Sequence, residues 1–163
     1  MSAPARLVTV GKVAINNRAA FEAAYREHAT ALTRLAWLLT GSKEKAEDIV
    51  HEVFVRYQSV DPPPVSEWSY LRRMVVNQVI DESRKAATEA RYLPQPEVEL
   101  DDPELDETWE LVCALPQAQR QALILRYYAD LPVAEIATAM SMPVGTVKSH
   151  IHRGLEKLKE NVT

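Results

Sequence analysis

Near the C-terminus, residues 144–160 read as a helix with a small, polar and basic outer side. At 100° per residue Val147, Ile151, Gly154 and Leu158 point inward. Gly145, Ser149, His152 and Arg153 face outward, with Thr146, Lys148 and His150 on the flanks. Side chains of this kind at the N-terminal end of a second helix suit the reading of base edges in a major groove. A merely solvated helix face has a similar composition, but two features favour DNA. No acid precedes Glu156 in this helix, and only Ser141-Met142-Pro143 separates it from the helix before it, which is helix-turn-helix spacing.

A second set lies at steps of four, three and four. Arg73, Asn77, Ile80 and Arg84 share one outward stripe, with Asp81 and Lys85 beside it. Arginines there can hold phosphates while the Asn77 amide bonds a base edge. The neighbouring segment 59–66 contains Pro62, Pro63 and Pro64, so it is a stiff loop able to wall a pocket for an unstacked base. A third face, Asp48, His51, Glu52 and Val55, sets one valine among charges, as a protein-docking patch would.

Catalysis has weaker support. His28, His51, His150 and His152 do not form a metal set; His150 and His152 point about 200° apart on a helix, and His28 lies on an inner stripe. Cys113 reads as buried filler, and no nucleophile, base and orienter fall together. The chain is therefore expected not to be an enzyme and to need no cofactor or metal. With one cysteine and no CxxC it reads as a reduced, intracellular protein.

These faces need helices to carry them. Four isolated glycines argue against Gly-rich nucleotide loops and hairpin-rich β folds, and no segment alternates with period two. From residue 18 to 40, Phe21, Tyr25, Leu32, Leu35 and Leu39 form one stripe; Gly41 suits a helix C′ position and Ser42 the next N-cap. Ala46, Ile49, Val50, Val53, Phe54 and Tyr57 line the second helix. Ser66 caps a third, with Leu71, Val75 and Val79 inward, running to about residues 84–87. Four further helices are predicted at 105–114, 117–129, 133–140 and 144–160, with Pro116, Pro132 and Pro143 at or beside the last three starts. The expected fold is all-α: two small helical domains and a linker.

The net charge of −4 first argues against a phosphate-rich partner. By position it does not. Residues 1–93 carry 13 basic against 11 acidic side chains and residues 111–163 carry 6 against 4, so each part is +2. Residues 94–110 hold eight carboxylates and no base, with Pro94, Pro96 and Pro103 among them, which is the composition of a solvated tether. The N-terminal apolar run is interrupted by Lys12 and is too short for a membrane span, so a cytoplasmic protein without membrane insertion is expected.

These motifs together resemble the extracytoplasmic-function (ECF, group IV) sigma factors of bacterial RNA polymerase. Ala46-Glu47-Asp48-Ile49-Val50-His51-Glu52-Val53-Phe54-Val55-Arg56 is similar to the family's polymerase-docking helix, region 2.2. Tyr70-Leu71-Arg72-Arg73-Met74-Val75-Val76-Asn77, with Asp81 and Arg84-Lys85, resembles the region 2.3–2.4 helix that engages the −10 element. Ala114-Leu115-Pro116, Arg120, Leu125-Arg126-Tyr127 and Glu135-Ile136-Ala137 resemble the start of region 4. Pro143-Val144-Gly145-Thr146-Val147-Lys148-Ser149-His150-Ile151-His152-Arg153 is similar to the −35 recognition helix.

The resemblance implies an N-terminal extension at 1–17, region 2 at 18–90, an acidic linker at 91–104 and region 4 at 105–163. It implies docking on the β′ clamp helices through Asp48, His51, Glu52 and Val55, and −10 contacts by Arg73, Asn77, Asp81, Arg84 and Lys85. It implies −35 contacts by Thr146, Lys148, Ser149, His150, His152 and Arg153, and a seat for region 4 on the β flap. Promoter DNA and core RNA polymerase are the implied partners, and many members are also held by an anti-sigma factor. The linker would thread the polymerase towards the RNA exit channel, where carboxylates suit a basic channel.

Three positions depart from the family pattern: His150 for a usual arginine, Ser141 for a common turn glycine, and Tyr70 for a frequent tryptophan. A different class is the alternative. Residues 146–151 followed by Leu155-Glu156-Lys157-Leu158 also resemble the recognition helix of LuxR-type regulators, but residues 18–90 lack the strand alternation of their usual α/β partner domain. A helical adaptor without DNA contact is a third reading, distinguished by whether Lys148 and Arg153 matter for DNA binding.

Overall fold

The apolar stripes assemble into helices with few departures from the expected bounds. The computed structural model describes residues 3–89 and 107–162, and side chains within 18–88 and 109–161. The acidic linker, expected at 91–104, lies outside the described residues. In order, the elements are α1 (Ala3–Thr40), α2 (Lys43–Tyr57), α3 (Glu67–Glu89), α4 (Glu107–Cys113), α5 (Gln117–Leu123), a π-helical turn (Ile124–Tyr128), α6 (Val133–Met140) and α7 (Val144–Val162). No strand occurs among the described residues.

Helices α1, α2 and α3 pack on one another. Leu32, Leu35 and Leu39 of α1 meet Ile49, Val53 and Phe54 of α2 and Leu71, Val75 and Val79 of α3 in a core from which water is excluded. Tyr25 and Phe21 set their rings edge-on to Phe54, at centroid distances of 5.0 and 6.0 Å. Gly41, at φ 74°, closes α1 in the left-handed region, and its N–H donates to the Trp37 carbonyl. Ser42 Oγ then accepts from the Lys45 N–H at 3.3 Å as N-cap of α2. Ser66 Oγ does the same for Ser69 at the start of α3.

In the C-terminal half α7 lies against α4, α5 and α6. Leu123, Leu125, Ile136, Met140, Val147 and Ile151 are buried there. Gly154 lets α7 approach α5: a Cβ at this position would stand 2.8 Å from Leu123 Cδ1.

Four expectations need correction. The helix expected to begin at 18 starts at Ala3. The helix expected over 117–129 turns π-helical from Ile124, with the Ala129 N–H reaching back five residues to the Ile124 carbonyl at 3.0 Å. Cys113 is half-buried rather than buried. Ile80, placed on the outward stripe of α3, is 3% exposed. Val76 and Arg84, one turn to either side of it, both face the second half of the chain, which covers this side of α3. Periodicity within one helix cannot see that cover.

Candidate nucleic-acid interface

The turn between α6 and α7 sets the angle at which α7 is presented. Ser141 adopts φ 49°, ψ 48°, and two bonds close the end of α6: Ser141 N–H to the Thr138 carbonyl and Met142 N–H to the Ala137 carbonyl. That is the Schellman arrangement, built here on serine instead of glycine. Pro143 then opens α7, its carbonyl accepting from the Thr146 and Val147 N–H groups. Val147, Ile151 and Gly154 anchor the inner side, which leaves Thr146, Lys148, Ser149, His152 and Arg153 exposed together. His152 Nε2 lies 3.0 Å from a Glu156 carboxylate oxygen. His150 differs from this group. It is half-buried, and its Nδ1 is turned inward without a partner.

On α3, Arg73, Asn77, Asp81, Arg84 and Lys85 are all exposed. Arg73 and Asn77 line a cleft of about 610 Å³ whose far wall is α6, with Ala134, Glu135 and Thr138. Arg84 donates to the Met140 carbonyl at the end of α6, and Arg72 Nη1 donates to the Ala129 carbonyl at 3.1 Å. Gln121 Nε2 donates to Ser83 Oγ at 3.2 Å. The sequence reading missed these ties between the two halves. Gln121 belongs to the polar run Gln119-Arg120-Gln121, all of it buried although glutamine and arginine usually face water. Burial pushes the Arg120 guanidinium below its ordinary value, and its Nη1 reaches the Cys113 carbonyl.

The start of α3, next to the proline loop, is held by Glu67. Its carboxylate accepts from the Tyr57 hydroxyl at 2.9 Å and from His28 Nε2 at 3.1 Å. The Tyr57 phenol is pushed up to about 12 by burial and then by the Glu67 hydrogen bond and charge. Glu27, His28 and Glu67 bring ligand-type atoms within 4.8 Å of one another. The hydrogen bonds that Glu67 makes account for its position as a tie between helices. His28, read as a core residue, is thus a mostly buried hydrogen-bond partner, stacked obliquely on Trp68. In the loop the Asp61–Pro62 bond is cis and the Val65 side chain stands fully in solvent.

On α2, Asp48, His51, Glu52 and Val55 form one exposed face, with Val55 49% exposed. Glu52 accepts from Gln78 Nε2, and Gln78 Oε1 accepts from Arg56, so the face is braced against α3.

Two family models match this chain in order: sigma-70 region 2 over residues 24–89 and sigma-70 region 4 over residues 105–158. The chain is 31% identical to the ECF RNA polymerase sigma factor SigW of Bacillus subtilis, over 79% of this chain and 81% of that protein. It is 30% identical to the ECF sigma factor SigL of Mycobacterium tuberculosis, over 94% of both chains. The chain belongs to the ECF sigma factors. It is an RNA polymerase sigma factor, a transcription initiation factor, and neither family match favours a LuxR-type regulator. The fold is shared with sigma factor RpoE of Bartonella quintana, solved with the anti-sigma factor NepR, at TM-score 0.61 and 19% identity over 86% of this chain and 94% of that one. In this sigma factor α2, α3 and the second half of α1 fall within the region 2 match, and α4, α5, α6 and most of α7 within the region 4 match. Among the described residues no helix is long and apolar enough to cross a membrane.

Proposed function

We propose that this sigma factor binds core RNA polymerase and directs initiation at promoters with separate −10 and −35 elements. Region 4 reads duplex −35 DNA: Thr146, Ser149 and His152 lie where base edges are reached, and Lys148 and Arg153 hold phosphates. His150, with its inward Nδ1, contributes less than the arginine usual at this position. Region 2 holds the −10 element through Arg73, Asn77, Asp81, Arg84 and Lys85, with loop 59–66 walling the pocket for an unstacked base. The α2 face of Asp48, His51, Glu52 and Val55 docks on the β′ clamp helices, and region 4 sits on the β flap.

The protein acts in the cytoplasm and carries no catalysis of its own. The relative solved with an anti-sigma factor makes such a factor a candidate partner here. The observation that carries the reading is the joint exposure of Thr146, Lys148, Ser149 and Arg153 on the second helix of a helix-turn-helix, behind a region 2 match in family order. Run-off transcription with purified core enzyme tests it. A product from promoters bearing both elements is expected; no product, together with no core binding, overturns it.

A further inference from the structure

We propose that Glu67 is a positioning residue for capture of a −10 base: it ties both ends of loop 58–66 to α1 and so fixes where the loop meets an unstacked base. This rests on the assignment of that loop to the −10 pocket.

The loop has little of its own to hold it. Its backbone bonds run back into α2 from Gln58, Ser59 and Val60, and Ser66 bonds forward into α3. Between them Pro62, Pro63 and Pro64 have no N–H to donate and a fixed φ, so this stretch moves as a stiff piece with its ends. Asp61, Pro62, Pro63 and Val65 are exposed. Val65 stands fully in solvent two residues before Glu67, an apolar group that a base extruded from its stack can cover.

Glu67 joins the two ends. Tyr57 is the last residue of α2 and Glu67 the first of α3, and one carboxylate oxygen accepts from the Tyr57 hydroxyl at 2.9 Å. The other oxygen meets His28 Nε2 of α1 at 3.1 Å. His28 is mostly buried against Trp68, and the Tyr57 ring lies beside Tyr70, so neither partner has much room to swing. Three helices thus converge on one side chain at the base of the loop. Hydrogen bonds to a carboxylate are the stronger kind, which suits a tie that must hold a lever.

A loop kept in its bound shape loses less freedom when a base arrives, and a small shift of its end misplaces the wall it offers. Neither Glu67 nor His28 belongs to the apolar core. Removing the carboxylate therefore cuts the network and leaves that core in place.

The test starts from a promoter that wild-type holoenzyme selects out of a random library. That promoter is rebuilt with a preformed bubble and a randomised −10 strand, and the sequences retained by each holoenzyme are counted. Val65→Ser marks the position that the loop reads. There the wild type should favour one base by about tenfold, and Glu67→Leu by about twofold at most. Glu67→Gln should keep most of the preference, because its amide oxygen still accepts from Tyr57 and its NH2 can donate to His28 Nε2. Partial unfolding lowers retention of all sequences alike, so the ratio between bases reports positioning and not stability. An unchanged ratio in Glu67→Leu overturns the proposal, as does a loss that Glu67→Gln fails to restore or a changed position that Val65→Ser leaves alone. Run-off transcription by the wild-type holoenzyme reports on the sigma-factor reading: no product overturns that reading and this role with it. A product with an unchanged ratio overturns the positioning role alone.

Discussion

Lys148 and Asn77 illustrate two different uses of a polar side chain on DNA. Lys148 is a flexible point charge beside the outward face of α7, so its contact carries no sequence information. Lys148→Ala should weaken binding uniformly across sequences and reduce the salt slope by about one, as anisotropy titrations would read. Asn77 offers an amide, with a donor and an acceptor. Asn77→Ala in the holoenzyme should flatten preference at one −10 position across a promoter library; unchanged preference would remove the base-reading role.

Tyr57 makes a prediction of a different kind. Its phenol is pushed up to about 12 because burial and the Glu67 carboxylate both oppose the phenolate. A folded pKa above the unfolded one stabilises the fold below pH of about 10, and the contribution fades as pH rises towards 12. An absorbance titration of the native protein should show one of its six tyrosines ionising last, and Tyr57→Phe should remove that step. The same variant should lose about 1–2 kcal/mol in urea unfolding near neutral pH, from one hydrogen bond to a carboxylate.

At the scale of elements, the α6–α7 turn stores a small cost. Ser141 carries a Cβ in the left-handed region, at about 1 kcal/mol relative to glycine. Ser141→Gly should therefore stabilise the protein by up to about 1 kcal/mol in chemical denaturation, less the entropy glycine adds to the unfolded chain. DNA binding should be unchanged, because both Schellman bonds are backbone bonds.

The helices themselves were largely legible in advance. Ser42 and Ser66 cap as their types suggest, α6 spans the expected 133–140, and the inward stripes of α2 and α7 are buried. Failures occurred where a distant segment intervened. Ile80 lies on what looks like a solvent face of α3, yet it is buried, between Val76 and Arg84, which both face region 4. The π-helical turn is equally invisible to a 3.6-residue count, since it depends on one inserted residue, closed by the Ala129-to-Ile124 bond and followed by Asp130 at φ 57°. His28 reads as an apolar-stripe residue until Glu67, 39 residues away, supplies its partner.

For the whole molecule, net charge is a poor guide to partners. The −4 total averages two halves of +2 and the −8 segment 94–110. Binding of the free protein to duplex DNA is accordingly expected to weaken steeply as salt rises from about 50 to about 200 mM, in spite of the acidic total. A salt-independent affinity would show that Lys148 and Arg153 are not phosphate contacts.

Local chemistry determined the helices, the helix-turn-helix spacing and the basic outer face of α7. Each depends on residues within a few positions of one another, and backbone geometry repeats every 3.6 residues. Tertiary structure alone decided which face of α3 is open. The donors Arg72 and Arg84 meet carbonyls 57 and 56 residues away, and no local period encodes a contact between two domains.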